Sequence, residues 1–131
     1  SINKAFEPAK TPKDWLSRNE EAVAKYVADQ KCGFLFTLNG YRTLFRSMYL
    51  AQDKMQLGKM DEDLPILFIS GEMDPVGDFG KGVKKAVNAF YVSGMQDVEC
   101  ILYPEARHEL INELNREEVF QDVLEWLEFH I

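Results

Sequence analysis

In the second half of the chain, two continuous apolar runs flank one amphipathic stretch. Pro65-Ile66-Leu67-Phe68-Ile69 has no polar interruption, the pattern of a strand covered on both faces, as in parallel sheets flanked by helices. Pro65 stands at the start of the run, where a missing N–H is tolerated. From Gly80 to Gly94, Val83, Ala86, Val87, Phe90 and Tyr91 recur at helical spacing, with Lys81, Lys84, Lys85 and Asn88 opposite them. This predicts an amphipathic helix. A second strand is predicted from about Val98 to Tyr103. Asn115-Arg116-Glu117-Glu118 matches a capping box, and behind it a last helix runs through Val119, Phe120, Val123, Leu124 and Leu127 to the end. This order of elements predicts a right-handed βαβ unit with parallel strands.

The first half is patterned differently. Residues 1–16 contain Pro8 and Pro12 and are predicted irregular. Ser17-Arg18-Asn19-Glu20 matches a capping box. Ala22, Val23, Tyr26 and Val27 then follow at helical spacing, with a stop expected near Asp29. Phe34-Leu35-Phe36-Thr37-Leu38 is open between strand and buried loop, and Asn39-Gly40 is expected to punctuate the chain there. One helix is predicted from Tyr41 to about Gln56, with Leu44, Phe45, Met48, Tyr49, Gln52 and Met55 on one side and Gly58 as its end. Lys59 to Asp63 form a polar connector. The chain thus divides into a helical part, residues 1–58, and a βαβα part, residues 59–131. Neither internal repeats nor low-complexity segments occur.

Composition narrows the functions. A net charge of −7 over 131 residues argues against nucleic acid as partner, because such binding rests on Lys and Arg neutralising phosphates. No apolar run reaches the roughly 18 residues of a membrane span. The start shows no basic flank with an apolar core, so no signal peptide is expected. Cys32 and Cys100 match no CxxC spacing and are expected to be free thiols, which suits a reducing, cytoplasmic compartment. No metal or cofactor is expected. Gly77-Asp78-Phe79-Gly80-Lys81-Gly82 lacks the phosphate-loop spacing and the Ser or Thr after Lys. Asp61, Glu62 and Asp63 lack the spacing of a calcium loop. His108 and His130 have no cysteine spacing to join them in a zinc site.

The chemistry concentrates at Asp74 and His108. Each stands in a loop just past a predicted strand. A helix of about fourteen residues runs back about 21 Å, and a strand of about six residues returns about 20 Å. The two loops therefore emerge at the same edge of the sheet, where open α/β sheets place their ligands. A carboxylate there can hold one imidazole nitrogen and leave the other as a general base. The plain alternatives are that Asp74-Pro75 merely starts a turn and that His108 is a solvated loop residue. His130, at the end of the terminal helix, reads as a cation suited to the helix dipole.

An acid followed by a histidine is the back two-thirds of the order Ser, Asp/Glu, His. Pro65 to Val76, Gly71-x-x-Asp74 included, resembles the strand-plus-acid segment of the α/β-hydrolase fold. Ala106-Arg107-His108-Glu109-Leu110 with Asn112-Glu113 resembles the histidine loop of the monoacylglycerol lipase and lysophospholipase-like hydrolases, often grouped with serine aminopeptidases. The likeness covers residues 60–131 well, and residues 1–56 more loosely as the end of a helical cap.

The resemblance implies a partial α/β-hydrolase fold, its last two parallel strands with flanking helices, preceded by a helical cap-derived segment. It further implies Asp74 as triad acid, His108 as triad base, Val76 lining an acyl pocket, and a lipid or small ester as substrate. Ser1, Ser17, Ser47, Ser70 and Ser93 all lack the Gly-x-Ser-x-Gly context. The chain is therefore expected to be the rear part of a serine hydrolase and inactive alone. Its strand 65–70 is expected to leave an edge open to homo-oligomer formation. A small non-enzymatic α/β interaction module, or a peptidase or thioesterase on the same fold, are the other readings.

Overall fold

The computed structural model describes residues 2–131. Its centre is the predicted crossover. Strand β1 (Ile66–Gly71) pairs in parallel with β2 (Val98–Tyr103), in register from Ile66 opposite Val98 to Gly71 opposite Tyr103. Helix α4 (Lys81–Val92) connects them. Three helices precede this unit: α1 (Glu20–Ala28), α2 (Leu38–Ala51) and α3 (Lys54–Leu57). Helix α5 (Arg116–His130) closes the chain.

The core gathers where β2 meets the loop behind it. Tyr103, Ala106, Leu110 and Val119 are buried together, with Ile69 and Ile101 packed against them. Removing their apolar area from water is the main driving term. On the α4 side, Phe68 meets Phe90 edge to face at 5.1 Å, a preferred aromatic geometry. Tyr91, expected to face inward, is exposed, although its hydroxyl donates to Val98 O.

Four sequence expectations are corrected. Ser17 does not cap α1. Its hydroxyl donates to Asn112 O at 3.0 Å and accepts from Asn19 N, so Asn19 caps instead, its side chain accepting from Ala22 N. Asn39-Gly40 does not break the chain. Thr37 caps α2 through its hydroxyl, which accepts from Gly40 N at 3.1 Å, and both residues lie in the first helical turn. The single helix to Gln56 is two. The Asp53 carboxylate accepts from Met55 N and Gln56 N and starts α3 afresh, a side-chain bond that competes with continued helix. At α5, Asn115 spends its amide on Glu118 Oε2 at 2.7 Å rather than on the backbone.

The ambiguous stretch Phe34–Thr37 is extended loop. Residues 2–6 and 14–16 are short 3-10 turns within the segment expected to be irregular. Leu44, Phe45, Met48 and Tyr49 do share a side of α2, but all four are exposed. Among the described residues the sheet has two strands, so β1 keeps one unpaired edge.

Candidate active site

Because β1 and β2 end level, the loops that follow them start side by side. The first loop is a tight turn. Asp74 N donates to Gly71 O at 3.1 Å, and Phe79 N donates to Asp74 O at 2.9 Å. Asp74 divides its carboxylate between two tasks. Oδ1 accepts from Val76 N at 2.8 Å, which is the turn-forming role of an Asp-Pro sequence. Oδ2 lies 3.0 Å from His108 Nδ1. The turn-starter reading and the proton-handling reading are thus compatible in one side chain.

The second loop is pinned to the first. Glu72 N donates to Tyr103 O at 3.0 Å, and Met73 N donates to Ala106 O at 2.9 Å. Gly71 lets them approach. A Cβ at that position would lie 2.2 Å from Ala106 O and 2.3 Å from Arg107 O. Asp78 (φ 50°), Phe79 (φ 52°) and Glu105 (φ 59°) adopt left-handed backbone conformations. Each costs roughly 1–3 kcal/mol for a non-glycine residue, a strain that tends to cluster at functional sites. Here it falls on the two loops that carry Asp74 and His108.

Electrostatics follow from these contacts. Burial pushes the Asp74 carboxyl up, but bonds from His108 and from the Val76 and Gly77 amides outweigh it and leave the pKa below its ordinary 3.8. The bond to Asp74 raises the His108 imidazole above its ordinary 6.5, against the opposing effect of burial. In the neutral imidazole, donation of Nδ1–H to the Asp74 carboxylate leaves the lone pair on Nε2. His108 keeps 37% of its side-chain surface, against 10% for Asp74. The imidazole is thus open to solvent while the carboxylate is shielded.

The serines do not meet this pair. Ser17, Ser70 and Ser93 donate their hydroxyls to the carbonyls of Asn112, Gly71 and Ala89. Ser47 is exposed on α2, and Ser1 lies outside the described residues. Val76 is exposed and, with Asp74, Ser70, Phe68 and Val83, lines a cleft of about 610 Å³ beside β1. Asp97, Glu99 and His130 each offer one donor atom within 4.8 Å of the others. They stand at the opposite end of β2. There His130 Nδ1 is 2.7 Å from Trp126 O and Nε2 is 3.1 Å from Asp97 Oδ2. The helix-end reading of His130 thus gains a carboxylate partner. Cys32 and Cys100 are free.

Of two groups near His108, Trp15 gave no signal in the sequence, and Glu113 entered only as part of the histidine-loop motif, with no role assigned. Trp15 lies against the imidazole, ring centroids 5.0 Å apart. Glu113 is fully buried, 0% of its side chain exposed. It accepts from Arg18 N, Arg18 Nε, Arg107 N and Leu114 N at 2.9–3.1 Å. Burial pushes its carboxyl up, but these four donors win and hold it below the ordinary 4.5. Hydrophobic periodicity cannot report such contacts, and those of Trp15 with His108 and of Arg18 with Glu113 join residues more than ninety positions apart.

Level parallel strands, flanking helices and paired loops at the carboxyl edge define part of an α/β-hydrolase fold. Solved structures agree. A highly thermostable carboxyl esterase from Bacillus coagulans, in complex with glycerol, is similar at a TM-score of 0.87 and 28% identity, over 97% of this chain and 42% of that one. A lipase in its open form is similar at 0.86 and 27% identity, over 97% of this chain and 41% of that one. The chain therefore spans about two-fifths of the length of these neighbours. No curated protein matches it. The profile of the family described as serine aminopeptidase, S33, matches residues 2–115, and the chain belongs to that family. Among the described residues no helix is long and apolar enough to cross a membrane.

Proposed function

We propose that these residues supply the acid and the base of a serine ester hydrolase of the lysophospholipase or monoacylglycerol lipase kind. In this reading Asp74 is the acid and His108 the base. The nucleophilic serine and the oxyanion hole come from polypeptide outside these residues. The observation that carries it is the 3.0 Å contact between Asp74 Oδ2 and His108 Nδ1 at the ends of adjacent parallel strands. Asp74 fixes the tautomer and stabilises the imidazolium that forms. Nε2 takes the serine proton as the hydroxyl attacks the ester carbonyl, then returns it to the departing alcohol. Val76 lines the acyl side of the cleft, and the substrate is a lipid or small carboxylic ester. No cofactor takes part in this scheme. Two free thiols suit the cytoplasm.

Loss of a triad serine costs on the order of a millionfold in turnover, and loss of an oxyanion-hole donor about 10²–10³ more. The chain alone is therefore inactive in this reading. The unpaired edge of β1 and the exposed face of α2 are where the rest of the parent enzyme packs. When the chain stands alone, a second copy takes that place.

Membership of a serine aminopeptidase family favours a second reading, amide hydrolysis at a peptide N-terminus, by the same acid and base. The esterase and lipase neighbours favour esters. One experiment addresses all three points. The chain is assayed on a short-chain nitrophenyl ester and on an aminoacyl nitroanilide, alone and after co-refolding with the remaining portion of the Bacillus coagulans esterase. Ester turnover only in the mixture, abolished by His108→Ala, supports the proposal. Turnover by the chain alone within a hundredfold of an ordinary esterase, or mixture activity that survives His108→Ala, refutes it. A preference for the anilide moves the reading to the peptidase.

A further inference from the structure

The segment 14–18 is bound to the histidine loop on both sides of His108. On one side, Arg107 Nη1 donates to Asp14 O and, at 3.3 Å, to Ser17 O. On the other, Glu109 N donates to Leu16 O at 2.7 Å. Ser17 Oγ reaches Asn112 O, and an Arg18 guanidinium nitrogen reaches Asn115 Oδ1 at 2.8 Å. Glu113 ties the two strips together, because one carboxylate oxygen accepts both Arg18 N and Arg107 N. Between these attachments Trp15 is held against the imidazole at a tilt of 45°.

We propose that Trp15 is a positioning residue for His108, pressed onto the imidazole by a clamp centred on the buried Glu113 carboxylate. This rests on the reading of His108 as the base of the site. The physical need is simple. A histidine side chain has three staggered χ1 wells, and a ring that is partly open to water can leave Asp74. A single hydrogen bond in water gives little net preference. An aromatic neighbour in van der Waals contact biases such an equilibrium by roughly twofold to tenfold. The clamp also works by subtraction. With Trp15 on one side and Asp74 on another, the contact with Trp15 favours the ring position that keeps Nδ1 on the carboxylate. The charged groups near the ring are Asp74 from the loop behind β1, Arg107 and Glu109 from its own loop, and Asp14 from the 14–16 turn.

The test reads the imidazole directly in the whole 131-residue chain, so it does not depend on turnover. Isotope-labelled protein is titrated by NMR as wild type and as Trp15→Phe, Trp15→Ala, Glu113→Gln and Asp74→Asn. In wild type, His108 is expected to titrate above its ordinary 6.5 and to show a downfield Nδ1–H resonance. Asp74→Asn removes both features and sets the reference for complete loss. Trp15→Ala is expected to move the midpoint back towards 6.5 and to broaden or erase the Nδ1–H signal, while Trp15→Phe keeps both.

A lower melting temperature in Trp15→Ala with the His108 midpoint and Nδ1–H signal unchanged would show a purely structural role and overturn the proposal. If Trp15→Ala does not fold, folded Glu113→Gln decides: a weakened Nδ1–H signal supports the clamp, an unaltered one ends it. Unaltered imidazole signals would leave the hydrolase reading standing, since complementation tests that separately.

Discussion

Gly71→Ala should break the site from a distance, without touching Asp74 or His108. An added Cβ would lie 2.2 Å from Ala106 O, 2.3 Å from Arg107 O and 2.5 Å from Ala106 C. Real Cβ atoms essentially never approach below 3.0 Å, so the histidine loop must retreat by about 0.8 Å. The obstacles are backbone atoms, not the free end of a side chain, and cannot swing aside. A shift of this size uses up the whole tolerance of a hydrogen bond. Ala106 O is the acceptor for Met73 N–H at 2.9 Å, and His108 follows two residues later.

Overpacking typically costs 1–3 kcal/mol, and with backbone atoms as the obstacle the upper end, about 3 kcal/mol, is expected. At a urea slope of about 1.5 kcal/mol/M this displaces the midpoint by about 2 M, and the melting temperature by about 10 °C. The assay is urea unfolding followed by fluorescence, with NMR of the His108 Nδ1–H in the folded protein. Gly58→Ala is the control. There the nearest contact is Lys54 O at 3.4 Å, an ordinary distance, and the change should be near neutral or slightly stabilising. A Gly71→Ala protein with wild-type midpoint and intact His108 signal would refute the reasoning.

Three further outcomes are expected. Glu113 has a lowered folded pKa, so its stabilisation is present above its unfolded value of 4.5 and is lost as pH falls through the folded value. Glu113→Gln should therefore flatten the acid limb of a urea-midpoint profile below about pH 4.5, and an unchanged limb would show that the carboxylate is not the group that titrates. His108 has the opposite sign: its raised folded pKa stabilises below 6.5, and that contribution disappears as pH rises through the folded value. Finally, the chain alone should self-associate through the free edge of β1 at tens of micromolar. Sedimentation equilibrium that finds only a compact monomer would remove a second copy as occupant of that edge.

The parts of this protein visible in its sequence are those governed by local pattern. The apolar run from Ile66, the helical spacing from Val83 to Phe90 and the run to Tyr103 required no distant partner to be read, and the crossover followed. The meeting of Asp74 and His108 came from element lengths alone. What stayed hidden depended on choices between competing hydrogen bonds. Ser17 satisfied the capping pattern but gave its hydroxyl to Asn112, so Asn19 took the cap. The periodicity of residues 41–56 continued smoothly through Gln52-Asp53, and only the Asp53 carboxylate made the break. The apolar side of α2 was identified correctly, but its exposure was not, since periodicity names a face without saying what covers it. Trp15 was invisible, and the burial of Glu113 under Arg18 unreadable, because those partners are far away in sequence.

The level ends of β1 and β2 have a consequence for how such a site is inherited. Asp74, His108 and the turn that spaces them lie between Gly71 and His108, a continuous stretch of chain with a single crossover. The donor–acceptor alignment between them is thus set by one short neighbourhood, with Trp15 and Glu113 as its proposed supports, and not by the whole sheet. In the proposed reading, a gene that exchanged only what lies ahead of these residues would hand on the pair with its supports, ready for whichever hydroxyl a new companion brought within reach.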